Sequence, residues 1–435
     1  MRRIEGASDM SARLRPADDA TASPALEAEY RRVRDATLAL CATLAPEDTV
    51  VQSMPDASPA KWHLAHTTWF FEQFLLAHCV PGHRRFREGW DFLFNSYYQT
   101  VGPMHARPQR GLLTRPTLRE VVDYRGHVDD AMCTLLRERG DDHDVMERVS
   151  LGLNHEQQHQ ELLLTDILHL FSLNPLQPAF REALPAPKAE PVTLKFIAGR
   201  HGIVEIGHAG DGFAYDNESP RHRELLHPHA IANRCVTNAE FREFIDAGGY
   251  RNPAWWLSDG WDAVRREGWS HPLYWDDMLE TTFSLGGRQA IDPSAPVCHI
   301  GFFEADAFAR WAGARLPTEF EWEAMAQDLP IEGNFADSGA LRPLPAGAGV
   351  GGGAQPLQMF GDVWEWTSSP YVGYPGYRPA TGALGEYNGK FMNGQWVLRG
   401  GSCVTPAGHV RATYRNFFQP AARWQFGGLR LARDA

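Results

Sequence analysis

Apolar residues recur at spacings of three and four positions along four stretches in the first part of the chain. The stretches run from Leu26 to Leu44, from Trp62 to Ala77, from Leu118 to Arg139 and from Val145 to Leu173. This period places the apolar side chains of each stretch on one face of an α-helix. Residues 25–174 are therefore predicted to form a four-helix bundle.

The pattern changes near residue 175. Five prolines between positions 175 and 191 interrupt any helix and predict a semi-rigid linker over residues 175–192. Beyond the linker, apolar runs shorten and glycine and tryptophan become frequent, so residues 193–435 are predicted to be an α+β domain with long loops. Its predicted helices are Val236–Ala247 and Glu304–Gly313, and its predicted strands are Trp396–Arg399 and Leu429–Ala432.

Charge and composition narrow the class of partner. The net charge is −12 with acids and bases interspersed, which argues against binding to nucleic acid or to an anionic membrane surface. Residues 1–24 carry no apolar signal segment and are predicted to be a disordered tail of a cytoplasmic protein. The six cysteines include no C-x-x-C pair, which argues against a disulfide framework and a thiolate zinc site. Small molecules are therefore the expected partners.

The segment His155-Glu156-Gln157-Gln158-His159 carries the clearest chemistry in the chain. On a helix, His155 and His159 lie about 40° apart around the axis, and Gln158 lies about 60° to the other side of His155. The three side chains share one face, which predicts a metal site beside Gln158, although two histidines on a solvated face would give the same pattern. Glu161 falls on another side of the helix and is interpreted as structural.

A third metal ligand is predicted on the second helical stretch. His66 is flanked at helical spacing by Trp62, Trp69 and Phe70, so it belongs to the inward face, where an imidazole needs a partner or a metal. His63, one turn earlier, is a rival for the same place. Neutral imidazoles without thiolates suit iron(II), zinc or copper.

Several ordered motifs make the chain resemble a known family. They are KWHLAHTTWFFE (61–72), FNSYY (94–98), HARPQRG (105–111), HEQQHQE (155–161), RLPTEFEWE (315–323), GDVWEWT (361–367), LRGGSC (398–403) and TYRNFF (413–418). On these motifs the chain resembles the ergothioneine-pathway sulfoxide synthases, which join an N-terminal DinB-like four-helix bundle to an α+β domain similar to formylglycine-generating enzymes and C-type lectins. The resemblance implies an iron(II) ion held by His66, His155 and His159, which leaves His63 outside the ligand set.

The resemblance also implies a reaction, in which O2 and a sulfur donor combine with hercynine at C2 of its imidazole ring. Tyr97 and Tyr98 match tandem tyrosines that deliver a proton or electron beside the iron, although two core aromatics would give the same letters. Asn416 and Phe417 match positions that bind hercynine, and Gln158 is expected to assist them. Its trimethylammonium group has no hydrogen to donate, so an aromatic face is the expected contact.

The sulfur donor is predicted from what the motifs lack. In relatives that use γ-glutamylcysteine an acid and an arginine contact the dipeptide, and the aligned positions here are Phe418 and Ala422. Arg107 and Arg110 remain and are predicted to bind one carboxylate, which favours cysteine over the dipeptide. The related selenoneine synthases, which use a selenosugar, remain an alternative.

Other classes of function share parts of this pattern. A zinc-dependent DinB thiol transferase would use the same three histidines, and a zinc peptidase would use Glu156 as general base. Copper-dependent cysteine oxidation, as in formylglycine-generating enzymes, needs two thiols that would fall near Thr405 and Val410, where this chain has none. A binding protein without enzymatic activity is the remaining alternative.

Overall fold

The computed structural model describes residues 19–347 except 186, 188 and 190, and then residues 355–379 and 388–435. Residues 1–18 of the predicted N-terminal tail lie outside the described residues. The rest of that predicted tail is not a tail, because the first helix already begins at Asp19.

Ten α-helices lie in the described part of the chain. They are α1 Asp19–Cys41, α2 Ala60–Phe71, α3 Ala77–Cys79, α4 Trp90–Phe94, α5 Leu118–Arg139, α6 His143–Leu173, α7 Asn238–Asp246, α8 Ser258–Glu267, α9 Phe302–Trp311 and α10 Glu319–Ala326. A π-helical turn, Glu72–Leu76, joins α2 to α3. None of these helices is long and apolar enough to cross a membrane.

Helices α1, α2, α5 and α6 pack against one another as the predicted four-helix bundle. Side-chain caps fix where two of them begin: Thr117 and Glu120 form a capping box at α5, and Asp142 accepts backbone N–H bonds at the start of α6. The bundle interior is closed by large apolar side chains such as Trp69, Phe71 and Leu136. The buried side chains of α6 are therefore positioned by packing inside the bundle.

The second half of the chain is the predicted α+β domain. Its strands are β1 Phe196–Ala198, β2 Gly202–Ile206, β3 His222–Leu226, β4 His229–Ala232, β5 Thr281–Ser284, β6 Gly287–Ala290, β7 Trp364–Pro370, β8 Trp396–Arg399, β9 Asn416–Phe418, β10 Gly427–Leu429 and β11 Ala432–Asp434. The largest sheet has the order β10-β7-β8-β9, a second has the order β1-β4-β11, and β2-β3 and β5-β6 form two-stranded sheets. The fold class, a helical domain followed by an α+β domain, is as predicted.

The predicted secondary structure of this domain needs one correction. Helices α7 and α9 and strand β8 are present as expected, with small shifts in their ends. The predicted strand Leu429–Ala432 is wrong, because β10 ends at Leu429 in one sheet and β11 begins at Ala432 in another. Between them Arg430 is fully buried and binds the Glu365 carboxylate at 2.7 Å, which anchors the chain where it changes sheet.

The two domains share a buried apolar contact along the second half of α6. Leu163, Leu164 and Leu168 pack in one cluster with Phe283 and Val404 of the α+β domain. The proline-rich connector follows the same surface, since Phe180 is buried and its N–H donates to the carbonyl of Leu285 at 2.9 Å. Helix α6 thus belongs to both hydrophobic cores.

Candidate metal centre and its surroundings

Three histidines from two helices converge inside the bundle. His66 on α2 and His155 and His159 on α6 place one ring nitrogen each within 4.8 Å of one another. The Nε2 atoms of His66 and His155 are 3.2 Å apart, and the three side chains are almost entirely shielded from solvent. Three imidazole nitrogens at this spacing can hold one metal ion, and they belong to the three histidines that the family resemblance implies.

The hydrogen bonds of these rings show which nitrogens are available to a metal. His66 Nδ1 lies 2.6 Å from the carbonyl oxygen of Phe94, so it must carry the proton, and Nε2 keeps its lone pair. His159 Nδ1 lies 2.8 Å from Nδ1 of His63, which leaves Nε2 as its metal-binding atom. His63 itself is engaged on its other side, where Nε2 lies 3.0 Å from a carboxylate oxygen of Asp166.

Electrostatics keeps the three imidazoles neutral. Burial lowers the pKa of His155 to about 3. Burial, followed by the neighbouring His155 ring, holds the pKa values of His66 and His159 well below their ordinary value. Neutral imidazole is the form that binds metal ions, and three such nitrogens without a thiolate fit a first-row transition metal. The donor set therefore fits the iron(II) that the family resemblance implies.

Glu156 does not face the metal ligands. It is fully buried, and its carboxylate binds Nη1 of Arg34 at 2.7 Å, the hydroxyl of Thr37 at 2.6 Å and the guanidinium of Arg125. Burial raises its pKa, but Arg125 and Arg34 outweigh burial and lower the pKa to about 2. A carboxylate already held by two arginines cannot act as general base toward a metal-bound water, so the geometry argues against the zinc-peptidase alternative.

Glu161 faces the other domain. Its carboxylate accepts hydrogen bonds from the indole of Trp364 at 2.5 Å, from Ser402 at 3.3 Å and from Thr405 at 2.7 Å. Burial raises its pKa, and the three hydrogen bonds offset this only in part. The structural interpretation of Glu161 agrees with this position, and its partners show that it joins the bundle to the α+β domain.

The predicted hercynine-binding residues lie on α6 of the bundle and on β9 of the α+β domain. Gln158 on α6 donates from Nε2 to the hydroxyl of Tyr414 at 2.6 Å. Two residues further along the chain, Asn416 begins β9, and Phe417 stacks on Tyr371 with ring centroids 4.0 Å apart. The structure therefore joins the metal-bearing helix to Tyr414, two residues before the predicted substrate-binding strand.

The tandem tyrosines occupy different surroundings. Tyr98 is fully buried, and its ring centroid lies 5.0 Å from that of Phe74 in the bundle core. Tyr97 is partly exposed, and its ring lies 5.3 Å from that of Phe391 in the α+β domain. The two hydroxyls are 3.5 Å apart. Tyr98 thus packs inside the bundle, whereas Tyr97 lies at the domain junction.

The two arginines of the predicted carboxylate site bind different groups. Arg110 is buried over the ring of Trp62 at 3.4 Å and donates to the hydroxyls of Ser58 at 2.8 Å and Ser96 at 3.1 Å. Trp62 in turn stacks on His66 with ring centroids 4.5 Å apart. Arg107 is exposed and donates to the carbonyl of Asp56. In this structure only Arg110 lies against the residues of the metal centre.

Three residues of the site were missed by the sequence analysis. Asp166 lies seven positions after His159, which is about two helical turns, so its place on the same face could have been found from the helical period. Tyr414 and Tyr371 had no such signal, because their partners Gln158 and Phe417 are far away in the sequence.

Comparison with known proteins agrees with this architecture. Residues 29–163 match the DinB superfamily, and residues 182–343 and 355–435 match the sulfatase-modifying factor enzyme 1-like domain. The chain is 28% identical over 299 residues to the formylglycine-generating enzyme of Streptomyces coelicolor, covering 55% of this chain and 87% of that protein.

Relatives that contain both domains are more similar. The chain is 37% identical to the hercynine oxygenase of Mycolicibacterium smegmatis, over 66% of this chain and 72% of the relative. It is 35% identical to that of Mycolicibacterium thermoresistibile, over 87% of this chain and 88% of the relative. Identity at this level across both domains leads to one conclusion: the chain belongs to the hercynine oxygenase family of enzymes.

Proposed function

We propose that this enzyme binds iron(II) through His66, His155 and His159 and uses O2 to join a sulfur donor to C2 of the imidazole ring of hercynine. The observation that carries the proposal is the neutral three-imidazole site on α2 and α6, beside which Gln158 of α6 donates a hydrogen bond to Tyr414 of the α+β domain. When bound there, iron(II) supplies the redox chemistry with O2 and open coordination positions for the substrates. Bond formation removes hydrogen from C2 and from the thiol, and a sulfoxide product takes one oxygen atom of O2 while the other leaves as water.

Hercynine is positioned by the residues at the domain junction. Phe417 offers an aromatic face to the trimethylammonium group, and its stacking on Tyr371 holds that face in place. Tyr414 accepts the hydrogen bond from Gln158 and thereby orients the amide beside the metal centre. Asn416 adds a polar group at the start of the same strand. The bundle thus orients the ring, and the α+β domain binds the cationic end.

The sulfur donor, cysteine, is bound through its carboxylate by Arg110, which favours a carboxylate-bearing thiol over a selenosugar. Burial, and then the neighbouring Arg107, hold the pKa of Arg110 well below its ordinary value. Its hydrogen-bond partners Ser58 and Ser96 are neutral, and within the described residues its Nε has no partner. A buried guanidinium in this state is stabilised by an anion. A neutral selenosugar offers no carboxylate, so this site supports the selenium alternative less well.

The tandem tyrosines Tyr97 and Tyr98 supply a proton to the reaction. Tyr97 lies where the two domains meet, and its hydroxyl is 3.5 Å from that of Tyr98. A proton passed between these hydroxyls reaches the bundle interior without bulk water. Replacing the phenol that delivers it by phenylalanine is expected to divert the reaction toward oxidation of the donor alone, and an unchanged product ratio in both Tyr97→Phe and Tyr98→Phe would contradict the role.

The test is turnover with defined substrates. Protein reconstituted anaerobically with iron(II) is mixed with hercynine and either cysteine, γ-glutamylcysteine or a selenosugar, and O2 consumption and product mass are followed. Coupled product is expected with cysteine. His155→Ala is expected to lose both iron and turnover, because two ligands hold the ion poorly, whereas His143→Ala, at the exposed first residue of α6, keeps both. Full iron and activity in His155→Ala would refute the site.

Two variants separate the binding roles. Phe417→Leu is expected to raise the KM for hercynine about tenfold, equivalent to about 1.4 kcal/mol, with iron content unchanged. Arg110→Met, which keeps an apolar stem on Trp62, is expected to raise the KM for cysteine with little change in that for hercynine. An unaltered KM for hercynine in Phe417→Leu would show that Phe417 does not bind hercynine. An unaltered KM for cysteine in Arg110→Met would show that Arg110 does not bind cysteine.

A further inference from the structure

His63 and Asp166 form a buried chain of hydrogen bonds that ends on a candidate metal ligand. His63 Nδ1 is 2.8 Å from His159 Nδ1, and His63 Nε2 is 3.0 Å from Oδ2 of Asp166. The exposed fractions of the His63 and Asp166 residues are 2% and 8%. The same oxygen of Asp166 accepts the backbone N–H of Ser58 at 2.8 Å, which holds the carboxylate in place.

With an ionised Asp166 and a neutral His63, the donors and acceptors in this series of hydrogen bonds have one consistent order. An ionised carboxylate only accepts hydrogen bonds, so the proton between Asp166 and His63 belongs to Nε2 of His63. A neutral His63 with that proton has a lone pair on Nδ1, and the proton between the two histidines therefore belongs to Nδ1 of His159. His159 is then left with the lone pair on Nε2, the atom that faces the other ligands.

The ring of His66 is held in a different way. His66 donates its Nδ1 proton to a backbone carbonyl, that of Phe94, which no side-chain substitution removes. His159 depends on side chains for the same purpose. Asp166 lies two helical turns after His159 on α6, so the helix itself sets the distance between Asp166 and His159.

We propose that His63 and Asp166 are positioning residues that hold His159 in the tautomer and orientation that bind the metal through Nε2. The inference deepens the proposed function, because it concerns the same metal. Hydrogen bonding of the remote ring nitrogen raises the basicity of a ligating imidazole and fixes its plane, and losing such a partner costs about 10- to 100-fold in metal affinity. Asp166 and His63 therefore control how long the iron stays bound, without touching it.

The experiment measures anaerobic release of iron(II) to a chromogenic chelator, with no hercynine or donor present. His63→Leu is expected to speed release at least tenfold and Asp166→Asn to have a smaller effect in the same direction. His63→Gln should recover part of the loss, because its amide oxygen can accept from His159. His169→Gln is the matched control: this histidine lies on the same helix close to Asp166 but bonds to Ser53 at 2.8 Å, and the parent rate is expected.

Each outcome decides between the alternatives. If His63→Leu binds as much iron per protein as the parent but releases it faster, the positioning role is supported. Failure of a folded His63→Leu protein to bind iron at any concentration would show that His63 is itself a ligand. A release rate equal to that of the parent, in His63→Leu or in Asp166→Asn, would overturn the positioning role. If His63→Leu does not fold, Asp166→Asn, which keeps the shape of the side chain, decides. Absence of hercynine turnover by the iron-loaded parent would count against the proposed function alone, since the release rates do not depend on it.

Discussion

Two buried carboxylates, five positions apart on α6, have pKa values shifted in opposite directions. Glu156 faces the bundle interior, where Arg34 and Arg125 bind it and lower its pKa to about 2. Glu161 faces the α+β domain, where hydroxyls and an indole bind it and burial raises its pKa. Both belong to one sequence motif, so the role of each acid is set by partners that come from distant parts of the chain.

The difference also keeps both acids away from the metal-site histidines. Arg34 and Arg125 bind Glu156 on the side of α6 that faces away from the imidazoles. The hydrogen-bond partners of Glu161 at the domain junction are uncharged. The face between the two acids, which carries His155 and His159, is left to nitrogen donors. One helix therefore presents three chemically distinct faces: an ion-paired one, a metal-binding one and a docking one.

The largest effect is expected from removing the ion-paired acid. Glu156→Ala leaves Arg125 buried without a counter-ion and leaves Arg34 with Asp129 alone, which should cost about 3–5 kcal/mol in the free energy of unfolding. Urea unfolding followed by circular dichroism at pH 7 measures it. Glu147→Ala, at an exposed acid on the same helix, is the control and should change stability by less than about 0.5 kcal/mol. Equal stability of both variants would mean that the arginines do not depend on Glu156.

The second effect is a pH dependence with a defined sign. Because the folded-state pKa of Glu156 is lowered from 4.5 to about 2, its contribution is fully present above about pH 4.5 and is lost as the pH falls toward 2. The contribution amounts to about 3 kcal/mol. The stability difference between the parent and Glu156→Gln should therefore shrink as the pH falls from 5 to 3. A difference that grows over this interval would contradict the assignment.

Glu161 should show the opposite sign. Its pKa is raised in the folded protein, so the parent loses stability relative to Glu161→Gln as the pH rises from below 4.5 through the raised pKa. Thermal unfolding of both proteins across this range measures this loss. Parallel curves for parent and variant would show that Glu161 is not perturbed by the junction.

The smallest effect concerns one partner of Glu161. Thr405→Val removes the hydroxyl that donates to Oε2 at 2.7 Å while keeping the shape of the side chain, and should cost about 1 kcal/mol. The cost should be smaller in a Glu161→Gln background, because the amide needs that donor less than the carboxylate does. A double-mutant cycle provides the comparison. Additive effects would indicate that the two side chains do not interact.

The helical period predicted much of the fold and the metal face of α6. His155, His159 and Gln158 share the predicted face, and His66 lies on the predicted inward stripe. These features depend on spacing within one helix or on residues close in sequence, which a single chain records directly. The strand prediction at Leu429–Ala432 failed because a buried ion pair at Arg430, and not local preference, ends the strand.

The partners of the site could not be predicted in the same way. Glu156 was considered as a catalytic base because its neighbours in sequence fit a peptidase motif, and nothing near it announces Arg34 or Arg125. The hydrogen bond from Gln158 to Tyr414 joins two domains. Arg107 and Arg110 look equivalent in sequence, yet only Arg110 is buried, because the turn that carries them directs one inward. Such contacts depend on how separate elements pack, which periodicity does not contain.

The contacts of Glu161 bear on how this two-domain architecture can be recombined. Trp364, Ser402 and Thr405 belong to the α+β domain, yet each bonds to a side chain of the bundle. In the sequence the domains can be cut apart near the proline-rich segment, but their working boundary runs along α6. A chimera that joins this bundle to the α+β domain of a relative would therefore have to inherit the indole and both hydroxyls together, or else bury an acid that nothing in its new neighbour accommodates.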